Sequence, residues 1–437
     1  MISTPSQLSC ENARVLHAIV VGGGIGGLAT ALSLAEIGVD VQVYESVDPI
    51  RPLGVGINLL PHAVRELSAL GLQPALEAIG VATSELAFYS KHGKPIWREA
   101  RGREAGYHWP QISIHRGRLH MLLLDTAIER LGKERVHLGH KLARFETTAH
   151  GATAYFVDRK AGGEAAAVHC DVLIGADGIH SQTRAQLYPN EGLPKWNGAV
   201  MWRGVSYGEP FLTGRSMIMA GHLRHKFVAY PIGADESGKP LINFVAELRF
   251  DTTDLGERED WNKPGKLEEF LPSFQPWKFD WLDVPKLIED AISIYEYPMV
   301  DRDPLPSWSD GSGRMTLLGD AAHPMYPIGS NGASQAILDA RVLTGCLKSY
   351  GADVPRALAA YEAVRRPATA AVVLANREQG PEHCLTVVEG RAPDGFERLE
   401  DVVSHAELQE IADTYKRIAG FSVDALNSSP SLADRKY

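Results

Sequence analysis

Three segments carry residue types and spacings that could do chemistry: Gly22-Gly23-Gly24-Ile25-Gly26-Gly27, Asp177-Gly178-Ile179-His180-Ser181-Gln182-Thr183-Arg184 and Gly319-Asp320-Ala321-Ala322-His323. The first is a Gly-x-Gly-x-x-Gly turn. Glycine at 22 permits a tight bend, at 24 lets backbone approach a pyrophosphate, and at 27 lets helix and strand pack closely. With Ile25 and Gly26 the turn opens a helix whose free N–H groups and partial positive charge face phosphates. Glu45, about 20 residues further on, is placed to accept hydrogen bonds from an adenosine ribose and to repel a 2′-phosphate. Any one of these segments alone would pass for an ordinary turn. Together, in this order, they point to one flavin dinucleotide.

The elements that must hold these residues follow from the apolar pattern. Residues 15–21 form a short apolar run into the glycines, 28–36 take helical spacing and 39–45 alternate, which makes a β-α-β unit of about 30 residues. Residues 51–58 form a loop before a helix near 61–70, and its Arg51 and Gly54 are candidates to lie along the cofactor. Arg116 opens a helical run over 119–131 and is a candidate for a diphosphate or ribityl oxygen, against the alternative of a solvated arginine. Alternating, aromatic-rich segments over 196–297 read as an antiparallel sheet. The fold class is therefore α/β, a Rossmann-like dinucleotide-binding domain over 15–83, 98–195 and 298–378. A β-sheet substrate domain over 84–97 and 196–297 is inserted in it, and a helical extension follows over 379–437. A lid and a dimer contact are equally open roles for that extension. Residues 251–285 read as loops and a short helix outside the sheet.

Composition limits the partners. The 437 residues carry 44 basic and 54 acidic side chains, a net charge of −10, which opposes general attraction to nucleic acid or anionic lipid. With 44% apolar and 22% charged residues the chain is globular rather than disordered. Cys10, Cys170, Cys346 and Cys384 form no Cys-x-x-Cys pair, and no metal site is expected. Residues 1–14 lack a basic start followed by an apolar run and read as a loose leader. Glycines interrupt the apolar stretch over 18–34, so it is no membrane span. The expectation is a cytoplasmic enzyme, monomeric or homodimeric, with a small-molecule substrate.

Taken together, these residues resemble the single-component FAD-dependent aromatic hydroxylases, the group of para-hydroxybenzoate and salicylate hydroxylases, over about 15–378. In residues 51–58, 201–204, 298–305 and 319–340 they are nearest to the pyocyanin-forming phenazine monooxygenases of that family. The resemblance implies a glutathione-reductase-type FAD domain in which Gly22, Gly24, Gly27 and Glu45 hold the adenosine diphosphate half and Arg116 touches the flavin chain. Asp177, Gly178, Ser181 and Arg184 would lie near the pyrophosphate in a motif tied to FAD and NAD(P)H. By the same resemblance Asp320 meets the ribityl hydroxyls, Gly319 lets backbone come close, Pro327 lies on the isoalloxazine, and Gly332 and Ala333 open a helix aimed at the ring. The family's Pro-x-x-Gly-Gln-Gly-x-Asn is altered here to Ser330, Asn331 and Ser334. The implied chemistry is hydride transfer from NADH or NADPH to FAD, addition of O2 at flavin C4a, and attack of the resulting hydroperoxide on an electron-rich aromatic ring.

No Ser/His/Asp order, His-Glu-x-x-His pair or carboxylate dyad stands out, and a flavin needs none. A base that ionises the substrate would help, and His225, Tyr230 and Tyr297 are the candidates. Arg203 is a candidate to pair with a substrate carboxylate or with the flavin's surroundings. Trp202, Met219, Phe244 and Met325 are candidate apolar walls. The rival functions are a flavin dehydrogenase or reductase that inserts no oxygen, and a non-catalytic scaffold on the same fold.

Overall fold

The run Ala18-Ile19-Val20-Val21 is buried on both sides, as expected for the centre of a parallel sheet covered on two faces. In the computed structural model, which describes residues 15–52, 54–160, 162–252 and 263–437, that run forms strand His17–Val21. It lies between Val172–Gly175 and Asp40–Glu45 in a five-stranded parallel sheet whose outer strands are Met315–Leu317 and Val136–Leu138. Helices Ile25–Glu36 and Gly332–Tyr350 pack on each other so closely that a Cβ on Gly26 would lie 3.1 Å from that of Ala336. An antiparallel three-stranded sheet, His140–Thr148, Gly151–Asp158 and Glu164–Cys170, joins the same core through Phe156, stacked 4.0 Å from Tyr44. The leader expected at 1–14, with Cys10, lies outside the described residues, as do Leu53 and residues 253–262 of the outer segment.

The second layer is a seven-stranded sheet in the order Ala291–Asp301, Lys195–Tyr207, Pro240–Arg249, His225–Ala234, Ser216–His222, Glu85–Tyr89, Pro95–Ala100. It is mixed rather than wholly antiparallel. Ser216–His222 runs parallel to Glu85–Tyr89, which enters from the earlier part of the chain, while the other pairings are antiparallel. Side chains alternate between its faces with period two. One face carries Trp202, Ile218, Phe227 and Phe244 and packs against Phe270, Phe274 and Trp277. The other carries Val205, Met217, Met219, Val228 and Tyr230 and meets Leu385, Leu408 and Ala412 of the C-terminal helices. Those helices, His383–Arg391, His405–Ala419 and Val423–Ser428, run back to the parallel-sheet layer. There the buried Glu66 carboxylate accepts hydrogen bonds from Ser431 Oγ at 2.5 Å and Leu432 N–H at 3.2 Å.

Candidate active site

At the end of strand His17–Val21 the chain bends at Gly22, whose φ is +107°, and its N–H donates to the Tyr44 carbonyl at 2.8 Å. Gly27 passes so close beneath that a Cβ there would stand 1.9 Å from the Gly22 carbonyl oxygen; only glycine fits. A Cβ on Gly24 would meet nothing within 4 Å, so that backbone faces open space. Ile25 is packed in the core, and with Gly26 it shapes the turn from the interior side. Glu45 is held in place: Oε2 accepts the Gly23 N–H and Oε1 the Val47 N–H, each at 2.7 Å. His120, on helix Arg116–Leu131, donates Nε2–H to the Gly23 carbonyl at 2.6 Å. Burial lowers its pKa, which suits a neutral donor. Sequence reasoning missed His120, because nothing local links it to a turn almost 100 residues earlier.

The second station is a small hydrogen-bonded cage. Asp177 accepts from Ser181 Oγ at 2.5 Å and from Thr183 N–H and Oγ1 at 3.0 and 3.1 Å, and Ser181 caps the following helix by accepting the Arg184 N–H at 2.8 Å. Gly178, with φ +77° and open space at its Cβ position, is free to face a ligand. Arg184 is not. It is 1% exposed, pairs with Glu191, and donates to the carbonyls of Ala321 and Ala322 at 3.1 and 2.9 Å. Its expected contact with a cofactor is corrected to a positioning role: it ties the second station to the third. Asp301-Arg302-Asp303 adds a second tie, with Arg302 donating to the Ile179 carbonyl at 3.2 Å and Arg377 paired with Asp301 at 2.7 Å.

At the third station the Gly319 N–H donates at 3.0 Å to Asp339, a buried carboxylate on helix Gly332–Tyr350 that also pairs with His323 at 2.5 Å and Arg365 at 2.6 Å. His323 thus holds the loop from beneath. Asp320 points the other way. Its side chain is exposed, yet desolvation raises its pKa against the opposing pull of His323 and Arg116. Arg116 behaves alike, exposed but with its pKa lowered by desolvation and by Arg203. Groups that touch solvent while protein surrounds them line a deep recess. Arg51 and Pro327 are exposed, and a Cβ on Gly54 would lie 3.7 Å from that of Arg116.

The altered loop is accommodated. Ser330 takes a left-handed φ of +57° where the resembled family has glycine. Asn331 Nδ2 donates to the Tyr415 hydroxyl at 2.9 Å and the Gly329 carbonyl at 3.2 Å, and Ser334 Oγ accepts the Leu60 N–H at 3.2 Å. The backbone N–H groups of Gly332, Ala333 and Ser334 lead the 19-residue helix and have no intrahelical partner.

Strand parity divides the remaining candidates. Arg203 donates to the Gly56 carbonyl at 2.9 Å, lies 5.9 Å from the Tyr297 ring and acts on the pKa of both Arg116 and Tyr230, so these four stand together. Tyr230 is 4% exposed, and burial pushes its pKa up to about 12. Met219 lines the recess with Met217 and Leu86, and Met325 packs beside Tyr415 and Phe421. His225, Trp202 and Phe244 lie on the far face. His225 sits 4.5 Å from Phe274 and 4.6 Å from Trp277, with its pKa lowered to about 4 by burial. Trp202 stacks on Phe270 at 5.0 Å, and Phe244 on Phe227 at 5.8 Å. The expected places of Trp202 and Phe244 in the substrate wall and of His225 as a base are corrected: His225 and Tyr230 are five apart on one strand, and an odd spacing puts them on opposite faces.

A family model described as FAD binding domain matches residues 15–200 and 306–376. The chain is 48% identical over 367 residues, 83% of its own length and 89% of the relative's, to phenazine 1,6-dicarboxylic acid hydroxylase PhzS of Lysobacter antibioticus. It is 33% identical over 419 residues, 94% and 97% of the two lengths, to 3-amino-4-hydroxybenzoate 2-monooxygenase PtnB3 of Streptomyces platensis. The chain belongs to the FAD-dependent aromatic hydroxylases. Among solved structures, HpxO of Klebsiella pneumoniae with FAD and uric acid superposes with TM-score 0.71 at 25% identity, over 95% of this hydroxylase and 97% of that chain. A salicylate hydroxylase substrate complex, TM-score 0.73 at 23% identity over 96% and 98%, shares the fold. The three glycine-anchored stations and the solvent-touching yet desolvated Asp320 and Arg116 fit FAD. Among the described residues, no helix of this hydroxylase is long and apolar enough to cross a membrane, and no cluster of His, Cys, Asp or Glu is arranged to hold a metal.

Proposed function

We propose that this FAD-dependent hydroxylase acts on a planar heteroaromatic ring of the phenazine type. The observation that carries the reading is a recess bounded by Gly329 and Ser330 of the cofactor loop on one side and by Leu86, Met217 and Met219 of the inner sheet face on the other. Apolar walls with a few placed polar groups are what a flat aromatic ligand needs. The relative from Lysobacter antibioticus, named for a phenazine substrate, supports the ring class.

FAD, when bound, takes hydride from NADH or NADPH and delivers one atom of O2 to an aromatic carbon, the other leaving as water. Glu45 accepts from the adenosine ribose, Asp320 from the ribityl chain, and Gly24 and Gly178 let backbone approach the pyrophosphate. The N–H groups of Gly332, Ala333 and Ser334 and the cation of Arg203 favour negative charge on the reduced ring. Tyr230, protonated throughout the neutral range, acts as a hydrogen-bond donor rather than a base. The C-terminal helices and the inner sheet face exclude water from the ring. The cytoplasm, where reduced nicotinamides are supplied, is its place of work.

The test is a screen of phenazines with the FAD-loaded protein under ¹⁸O2, following NAD(P)H oxidation and product mass. Faster oxidation with one ¹⁸O per product molecule is expected. Turnover that yields hydrogen peroxide alone with every phenazine would favour the flavin reductase and overturn the proposal.

A further inference from the structure

In the recess lined by Met217, Met219, Gly329 and Ser330, polar groups stand among apolar walls. Arg101, 10% exposed at its side chain, pairs with Glu99, 9% exposed, and Lys416 approaches the same carboxylate at 2.7 Å. Two cations share one anion there, which leaves an excess positive charge. The further acid nearby, Asp413, is 3.8 Å from Lys416 and 43% exposed, so water screens it. Arg101 Nε, a donor on a residue 8% exposed, has no hydrogen-bond partner. All four residues, Glu99, Arg101, Gln111 and Lys416, line the recess. Buried polar atoms are nearly always satisfied and buried charges paired, so the unpartnered Arg101 N–H beside a second cation marks a place where a ligand supplies the missing acceptor. Met217, Met219, Leu86 and Phe421 beside them offer the faces on which a flat ring lies.

We infer that this recess is a carboxylate subsite, in which Arg101, seconded by Lys416, receives the acid group of a planar aromatic substrate whose ring extends to Gly329 and Ser330. A carboxylate accepts several hydrogen bonds and matches the fork of a guanidinium. Arg203, whose Nε also has no hydrogen-bond partner, is not among the residues that line this recess. It is engaged with the Gly56 carbonyl and gathered with Arg116 and Tyr230.

The subsite rests on the ring class proposed above, and one experiment separates the two. The FAD-loaded full chain is titrated with phenazine-1,6-dicarboxylate and with its uncharged diamide, following flavin absorbance and NAD(P)H oxidation. Wild type is expected to bind the acid about tenfold more tightly than the diamide. Arg101→Gln should erase that preference by weakening the acid alone, and Arg101→Lys should restore part of it. Glu99→Gln, which leaves both cations unneutralised, should tighten acid binding about fivefold, a gain that a damaged fold cannot imitate. Equal binding of acid and diamide by wild type, a preference that survives Arg101→Gln, or weaker acid binding by Glu99→Gln would each overturn the subsite and leave the ring class standing. A wild-type flavin that responds to neither compound would overturn the ring class, and the subsite with it.

Discussion

At the scale of single residues, Glu45, Gly329 and His225 give distinct expectations. Glu45→Gln keeps the shape but weakens a charge-assisted acceptor that holds the Gly23 N–H. It should raise the FAD dissociation constant about tenfold in a fluorescence titration, and an unchanged value would detach Glu45 from the cofactor. Gly329 has φ +68°, and a Cβ on it would lie 2.1 Å from the Tyr415 hydroxyl. Gly329→Ala should therefore purify with much less flavin, as read from the ratio of absorbance at 450 and 280 nm. His225→Phe, far from the recess, should leave kcat/KM at pH 8 within about twofold of wild type. The turn geometry legible in the sequence is that which depends on local spacing: the glycines at 22 and 27, the Glu45 cap on Gly23 and the Asp177 cage. Arg101, Gln111 and His120 were not legible, because their partners come from distant parts of the chain. Arg184 read as a ligand contact because the sequence shows its station but not that every donor it has is already engaged inside the protein.

At the scale of elements, the β-α-β unit announced itself through one uninterrupted pattern, and the seven-stranded sheet through alternation. Alternation tells that a strand has two faces and not which one meets the cofactor, so Trp202 and Phe244 were grouped with Met219 although they point the opposite way. The C-terminal helix His405–Ala419 was legible as a helix only. Its placement makes Ala412, Tyr415 and Lys416 a wall of the recess, and Tyr415 Oη donates to Asn376 Oδ1 at 2.8 Å while accepting from Asn331 Nδ2. Tyr415→Phe leaves those buried amides short of a partner and should cost about 1–2 kcal/mol of stability, measured by urea denaturation of the FAD-loaded enzyme. A loss below about 0.3 kcal/mol would show that the hydroxyl is dispensable to the loop.

At the scale of the whole molecule, buried histidines set a response to acid. His62, stacked on Phe421 at 5.2 Å with neither ring nitrogen partnered, has its pKa lowered to about 3 by burial and by Arg65 and Arg365, and His225 is lowered to about 4. Both lie below the unfolded value of about 6.5. As pH falls the unfolded chain takes up protons first, so their contribution is whole above about pH 6.5 and is lost on the way down to about pH 4 for His225 and about pH 3 for His62. Stability should fall between pH 7 and pH 5, and His225→Phe should make that fall shallower; an identical slope in the variant would refute the assignment. Because the Tyr415 hydroxyl sits under the flavin loop while the same helix walls the chamber, colour and tail integrity are thermodynamically linked. Yellow protein should resist carboxypeptidase, and trimming the tail should bleach it.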